Sequence, residues 1–255
     1  MRYAGTTALI TGASSGIGAE FARRFAERGA DLVLVARRAS ALDELAAEIR
    51  ADTGRTVHVV PFDLTGERSG QRLAEQLDVA VDTVVNCAGV AHTKPFAELT
   101  EDEIHVQLRV NVDAVVDISH AFLPRLVGSG RGALVNVASL TGYLPVPGMA
   151  VYSAAKSFVV RFTEALAHET RGSGLTVLAL SPGPTSTEFY EVSGTETEGV
   201  RFQTAAQVVG TAFAALDRKR PPVSVISGST NRWLGRAAAA LPRRTVLRLA
   251  ETRSV

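Results

Sequence analysis

The sequence predicts an α/β protein: a single three-layer, doubly wound domain with a seven-stranded parallel sheet. Three observations carry this. Short β-branched or apolar runs alternate with helical patterns along the whole chain, which is the arrangement of a parallel sheet covered on both faces. A glycine-rich turn, Thr11-Gly12-Ala13-Ser14-Ser15-Gly16-Ile17-Gly18, joins the first strand to the first helix. No internal repeat, low-complexity tract or proline-rich linker divides the 255 residues, which are enough to bury a sizeable core.

The expected strands, in order, are Thr6–Ile10, Asp31–Val35, Thr56–Pro61, Thr83–Asn86, Ala133–Ala138, Leu175–Ser181 and Val223–Ile226. Helices are expected at Gly16–Arg28, Ala41–Ala51, Gly66–Leu77, Glu101–Leu126, Val151–Arg171 and Ala205–Arg218. The start of the fourth is fixed by Thr100 and Glu103, whose side chains can satisfy each other's backbone donors as a capping box. In the last 25 residues, Leu234, Ala237, Ala238 and Leu241 follow helical spacing. Pro242 should end or kink that helix before a second short pattern at Val246, Leu249 and Ala250.

Composition excludes several classes of function. With 46% hydrophobic and 21% charged residues the chain is ordinary for a globular protein and unlike a disordered one. A net charge of +1 gives no basic excess of the kind that binds nucleic acid. The single cysteine, Cys87, cannot form an intrachain disulfide and suits a reducing compartment, so the cytoplasm is expected. No apolar run approaches the roughly 20 residues needed to span a bilayer, and Ala8-Leu9-Ile10 runs into the glycine turn rather than a cleavage site. Neither the histidines nor Cys87 have zinc-ligand spacing, and no metal is expected. Charge is segregated at the end: residues 231–255 carry six arginines against Glu251, a net +5 that leaves −4 for the rest. The expected organisation is therefore a catalytic unit over 1–230 and a basic amphipathic tail over 231–255. That tail would contact another subunit or a membrane surface, or fold onto its own domain.

The glycine turn is the first chemically informative segment. Glycines there allow unusual backbone angles and the close approach of a phosphate, while the following helix N-terminus offers free N–H groups and a favourable dipole. Gly12, Ser14, Ser15, Gly16, Ile17 and Gly18 are thus candidates to cradle a pyrophosphate. The Gly-x-x-x-Gly-x-Gly spacing differs from the Gly-x-Gly-x-x-Gly dinucleotide fingerprint.

With this turn the sequence resembles the short-chain dehydrogenase/reductase family, and the resemblance recurs in order over about residues 5–228. It implies a Rossmann-like fold. It also implies that Asp63-Leu64 holds an adenine ring and that Asn86, Ala88 and Gly89 belong to the family's Asn-Asn-Ala-Gly segment, with Cys87 replacing the second asparagine. Pro182, Gly183, Thr185 and Thr187 then follow the sixth strand beside the cofactor. Asn111, Ser139 and Tyr152-x-x-x-Lys156 complete the series as the catalytic group.

That group can be rebuilt from chemistry. Tyr152 and Lys156 stand four residues apart on one helix face. A phenol titrates near 10, and a neighbouring ammonium is expected to lower it. In carbonyl reduction Tyr152 would donate a proton to the developing alkoxide while a nicotinamide delivers hydride. Ser139 can hydrogen-bond the same oxygen. The resemblance implies that Asn111 holds a water near the lysine. Taken singly, the four have plainer readings: a surface aromatic, a solvated charge, a turn residue and a satisfied buried amide. His92 is left outside the site as a lone loop histidine.

Ala36 stands where an NAD-preferring protein usually has a carboxylate, and Arg37 and Arg38 follow with guanidinium groups suited to a 2′-phosphate, so NADP(H) is expected. Ser15 stands where some NADP-preferring relatives carry a basic residue. The segments expected to cover the site are Leu140–Met149 and Thr187–Gln203. Leu140, Tyr143, Leu144, Val146 and Met149 in the first, and Phe189, Tyr190 and Val192 in the second, suit an apolar substrate. They would equally pack the loops onto the sheet. The resemblance of the Tyr-Ser-Ala-x-Lys and Pro-Gly-Pro-Thr-x-Thr-Glu-Phe segments to steroid and long-chain acyl ketone reductases implies a hydrophobic ketone or alcohol, steroid-like or 3-oxoacyl-like. Gly194, Thr195, Thr197 and Gly199 would let the second segment move as a closing lid. The resemblance also implies a homodimer or homotetramer. Two other readings are a non-catalytic NADP-binding regulatory or scaffold protein, and a sugar epimerase, for which the segment after Pro182 is short.

Overall fold

The computed structural model describes residues 3–195 and 199–251. Seven strands, β1 (Thr7–Thr11), β2 (Asp31–Ala36), β3 (Val57–Pro61), β4 (Thr83–Asn86), β5 (Ala133–Val137), β6 (Thr176–Ser181) and β7 (Ser224–Ile226), form one parallel sheet in the order β3-β2-β1-β4-β5-β6-β7. All seven expected strands are present, within a residue at each end. The order reverses between β1 and β4, and the crevice at such a switch point, beyond the carboxyl ends of the strands, is where this architecture binds ligands.

Helices cover both faces, and a short α7 (Phe189–Ser193) follows β6. α1 (Gly16–Glu27), α2 (Ala39–Thr53) and α8 (Ala205–Leu216) bury Phe21, Phe25, Leu42, Ile49 and Phe213 against Ala8, Ile10, Leu32 and Leu34. On the other face, α3 (Ser69–Glu75), α5 (Ala114–Ser129) and α6 (Ala150–Glu169) pack Leu73, Ile118, Leu126 and Leu166 on Leu9, Val33 and Val35. Successive strand residues thus enter opposite cores, which is why the strands read as continuous apolar runs rather than alternating ones.

Two helices differ from expectation. α3 starts at Ser69 rather than Gly66, because Arg68 takes a left-handed φ of 49°. Its first turn is capped from α5, where Asp117 Oδ2 accepts from the Ser69 N–H at 2.9 Å. The expected helix Glu101–Leu126 is interrupted: α4 (Glu101–Leu108) passes into a π-helical turn over Arg109–Asp113 before α5. The Asn111 side chain lies inside that turn and donates to the carbonyl of Gln107 four residues back, at 2.9 Å. The Thr100–Glu103 capping box is formed in both directions.

The chain beyond β7 folds as α9 (Ser229–Ala240) and α10 (Arg243–Glu251), and Leu241 leaves the helical region immediately before Pro242. α9 packs on β7 and the 140–143 turn so closely that a Cβ on Gly235 would stand 2.6 Å from Ile226 Cδ1. Among the described residues no helix is long and apolar enough to cross a membrane. Thr197, named above, and Arg253, the last of the six arginines of the tail, lie outside the described residues.

Candidate active site

A cleft of about 430 Å³ opens at the switch point, lined by the turns that follow six of the seven strands. At its floor Gly12 has φ +66°, and a Cβ there would meet Ala88 Cα at 2.8 Å. A Cβ on Gly18 would collide with the Gly12 carbonyl. The glycine pattern therefore lets β1, the post-β4 turn and α1 close on one another. Ser15, the N-cap of α1, makes no side-chain bond to the first turn, and that turn holds no acidic residue, so its N–H groups and positive dipole end are left to serve an anion. This cradle fits a pyrophosphate.

Along the cleft Arg38 reaches back to Ser14 Oγ and Ser14 O, both at 3.3 Å, and pairs with Glu188 Oε2 at 2.8 Å. Across from it, Asp63 accepts from the Thr65 N–H at 3.0 Å. That bond, aided by Arg37 and Arg72, holds the carboxyl below its usual range. Arg37, Leu64, Ala88, Gly89, Pro182, Gly183, Thr185 and Thr187 also line the cleft, as do Ser14, Ser15, Gly16 and Ile17.

Asn86 does not. Its side chain is buried beneath the wall, where Nδ2 donates to Asn136 Oδ1 at 2.9 Å and Ser119 Oγ at 3.3 Å. The main chain that follows is anchored by Thr11, whose Oγ1 accepts from the N–H groups of Cys87 at 3.0 Å and Ala88 at 3.1 Å. The replacement at Cys87 therefore leaves this segment held. Cys87 lines the cleft, and burial pushes its thiol up to about 12.

At the inner end stand Tyr152, Lys156 and Ser139. Lys156 is buried, and its Nζ donates to the Val137 carbonyl at 3.0 Å and lies 5.5 Å from the Tyr152 ring centroid. Burial lowers its pKa to about 8, with Cys87 opposing. Burial also raises the Tyr152 phenol well above its ordinary value, and hydrogen bonding from Ser139 pulls it back. The expected lowering by the ammonium is absent from this arrangement: Nζ faces a carbonyl and the ring, and desolvation dominates. Ser139 Oγ accepts from the Thr141 N–H at 3.2 Å, which fixes the hydroxyl at the mouth of the 3-10 turn Leu140–Gly142.

Asn111 sits one layer behind, fully buried, donating to the Val90 carbonyl at 2.6 Å as well as to Gln107. A Cβ on Gly89 would be 3.1 Å from Asn111 Oδ1 and 3.4 Å from Lys156 Nζ. The fold therefore brings Asn111, Gly89 and Lys156 together although they come from three elements. A π turn carrying a buried amide is a common functional irregularity.

The substrate end is apolar. Met149, Phe189 and Tyr190 line it as expected, with the Phe189 ring 5.5 Å from that of Tyr152. Tyr143 instead packs on the cluster of Val115, Ala138 and Val159, Val146 packs behind Met149, and Leu140 lies under α9. Leu144 is not in the cleft wall, and the side chain of Val192 lies outside those described. Sequence reasoning missed Val90, Ala91, Val106 and Val110. The i, i+4 spacing of Val106 and Val110 put them on one face of the expected helix Glu101–Leu126, although Val110 stands in the π turn after α4, and such a pair reads equally as core. Glu188, also missed, had no signal as a single acid in a loop. His92 lies 3.6 Å from Glu103, outside the wall. Among the described residues no three metal-ligating side chains gather.

Comparisons with known proteins agree with this geometry. A sequence model of the short chain dehydrogenase family matches residues 6–198. The chain is 39% identical over 186 residues to sulfoacetaldehyde reductase 2 of Chromohalobacter salexigens, covering 71% of this chain and 73% of that protein. A short-chain dehydrogenase from Sphingobium yanoikuyae in complex with NADPH superposes with a TM-score of 0.81 at 35% identity, over 92% of this chain and 93% of that one. The bulky-bulky ketone specific alcohol dehydrogenase from Comamonas testosteroni gives 0.78 at 31% identity, over 92% of each chain. A cleft built to take a dinucleotide beside a buried tyrosine and lysine, in a chain matched over most of its length, has one consequence: this protein belongs to the short-chain dehydrogenase family and is an NAD(P)(H)-dependent oxidoreductase of the carbonyl/alcohol pair.

Proposed function

We propose that the protein is an NADP(H)-preferring ketone reductase for a hydrophobic substrate, with Tyr152, Ser139, Lys156 and Asn111 as its catalytic group. The nicotinamide, when bound, supplies or accepts the hydride. In reduction, Tyr152 Oη gives its proton to the carbonyl oxygen as charge develops there, and Ser139 Oγ donates a hydrogen bond to the same atom. Lys156, still mostly protonated below about pH 8, keeps a positive charge behind the phenol as it loses its proton. Asn111 holds the Val90 turn and Gln107 in the positions that leave Gly89 open beside Lys156.

The observation that carries the substrate reading is the distribution of charge in the cleft. Among the described lining residues, Arg37, Arg38, Asp63 and Glu188 stand at the adenosine end, and Lys156 is the only charged side chain near Tyr152. Val90, Ala91, Val106, Val110, Met149 and Phe189 supply the apolar surface of that wall, and Ser139, Thr141 and Tyr190 its uncharged polar groups. Sulfoacetaldehyde, named for one relative, carries a sulfonate that meets no second cation among the described residues of this wall; a bulky ketone, named for another, meets apolar side chains. Arg37 and Arg38 after Ala36 support NADP(H). The test is a screen of ketones and alcohols of increasing apolar size with both cofactors. kcat/KM should rise with apolar size and be higher with NADPH; a preference for sulfoacetaldehyde overturns the substrate reading.

Residues 1–230 form the catalytic unit in this proposal and 231–255 a basic amphipathic tail. The tail's exposed Trp233 (68%), beside Arg232 and Arg236, supports contact with a second subunit or an anionic membrane surface. Exposed Phe158, stacked on Phe162 at 5.8 Å, supports a homo-oligomer, and a single free Cys87 supports a cytoplasmic protein.

A further inference from the structure

We propose that Glu188 is a specificity-determining residue for the cofactor: its carboxylate holds the Arg38 guanidinium that a 2′-phosphate needs, so NADP(H) binds only by displacing it. The inference rests on the NADP(H) reading above and goes beyond it, because it assigns to the wall opposite the arginines an element that opposes the preferred cofactor.

Three observations meet at Arg38. It follows β2, at the point where the adenosine ribose of a dinucleotide lies in this architecture. Its Nη2 donates both to Ser14 of the glycine turn at 3.3 Å and to Glu188 Oε2 at 2.8 Å. And Glu188 is brought there by the segment after β6, seated on the glycine turn through Thr187, whose Cγ2 would lie 2.8 Å from a Cβ on Gly16. The carboxylate is thus held at the cleft rather than swinging in from a distant loop.

A phosphate and a carboxylate compete for the same planar donor set, and the two anions repel one another if both remain. NADH carries only a 2′-hydroxyl, which a carboxylate can accept from, so Glu188 costs NADH nothing. The competitor is weak by design of its surroundings: the side chains of Arg38 and Glu188 are 51% and 53% exposed, and pairs that open to water are worth little. Its effect on apparent affinity is therefore about threefold, the range of an exposed ion pair that must open before the ligand can bind.

The experiment measures binding without turnover. NADPH, NADH, adenosine 2′,5′-bisphosphate and ADP are titrated calorimetrically into the wild type, Glu188→Gln, Arg38→Ala and the double variant. Glu188→Gln should bind NADPH and adenosine 2′,5′-bisphosphate about threefold more tightly, leave NADH and ADP unimproved, and lose its gain in the Arg38→Ala background. Retained NADH binding shows that the variant is folded. No tightening, or equal tightening of all four ligands, overturns the proposal alone when the wild type prefers NADPH. A wild type that binds NADH as tightly as NADPH overturns the cofactor reading as well.

Discussion

Tyr152 and Lys156 share a helix face by their spacing, yet each is tuned by what other elements bring to it. β5 supplies the Val137 carbonyl that receives Lys156, and the turn after it supplies Ser139, which opposes the burial of the phenol. The phenol therefore stays protonated in the resting site and is suited to act as the acid in reduction. Replacing Tyr152 by Phe removes one hydroxyl and keeps the ring contact with Phe189. Turnover of a ketone identified in the screen should fall by about 10²- to 10⁴-fold, the usual worth of a positioned acid. NADPH affinity, read by calorimetry, should stay within about threefold, since most of the cradle is backbone at the α1 N-terminus; a variant with near wild-type kcat refutes the role. The identities at this scale were legible because motif residues must be particular chemical types. Their environments were not. Nothing in the order of residues told that Asn86 points away from the cleft into Asn136 and Ser119, or that Glu188 crosses it to Arg38.

The elements were legible where a periodic pattern met a stop signal, as at Pro242 and at the Thr100–Glu103 box. They were less so where a contact from elsewhere sets the boundary. The π turn depends on Asn111 finding the Val90 carbonyl across space, and the late start of α3 on Asp117 of α5. Gly70 shows the same dependence from the packing side: a Cβ there would collide with the Asp117 carbonyl, so α3 and α5 approach to backbone contact. Gly70→Ala gains helix propensity but must push the two helices apart. We expect a net loss of about 1–3 kcal/mol, the range for overpacking a close contact, measured by urea unfolding. A stabilised Gly70→Ala variant would show that α3 shifts freely and that the contact is not a constraint on the fold.

At the scale of the molecule, the sheet order places the dinucleotide cradle and the Tyr152–Lys156 pair beyond the carboxyl ends of the central strands, and the chain then adds two helices that no strand requires. α9 nonetheless reaches the site. Asn231 Nδ2 donates to the Ser227 carbonyl at 2.9 Å and to Gln203 Oε1 at 3.2 Å, and it fills the space a Cβ on Gly183 would take. A deletion after Thr230 therefore removes a brace on the Pro182-Gly183 turn together with the arginines, and should weaken NADPH binding and lower Tm. A deletion after Leu241 keeps the brace and removes four of the six tail arginines with the α10 face that buries Val246. It should leave NADPH binding unchanged while lowering either the molecular mass in solution or co-sedimentation with anionic vesicles, according to which surface the tail meets. If mass and vesicle binding both match the full chain, the tail's role is packing within its own subunit. If the shorter deletion also loses NADPH binding, the brace extends past α9 and the boundary of the catalytic unit lies beyond Leu241.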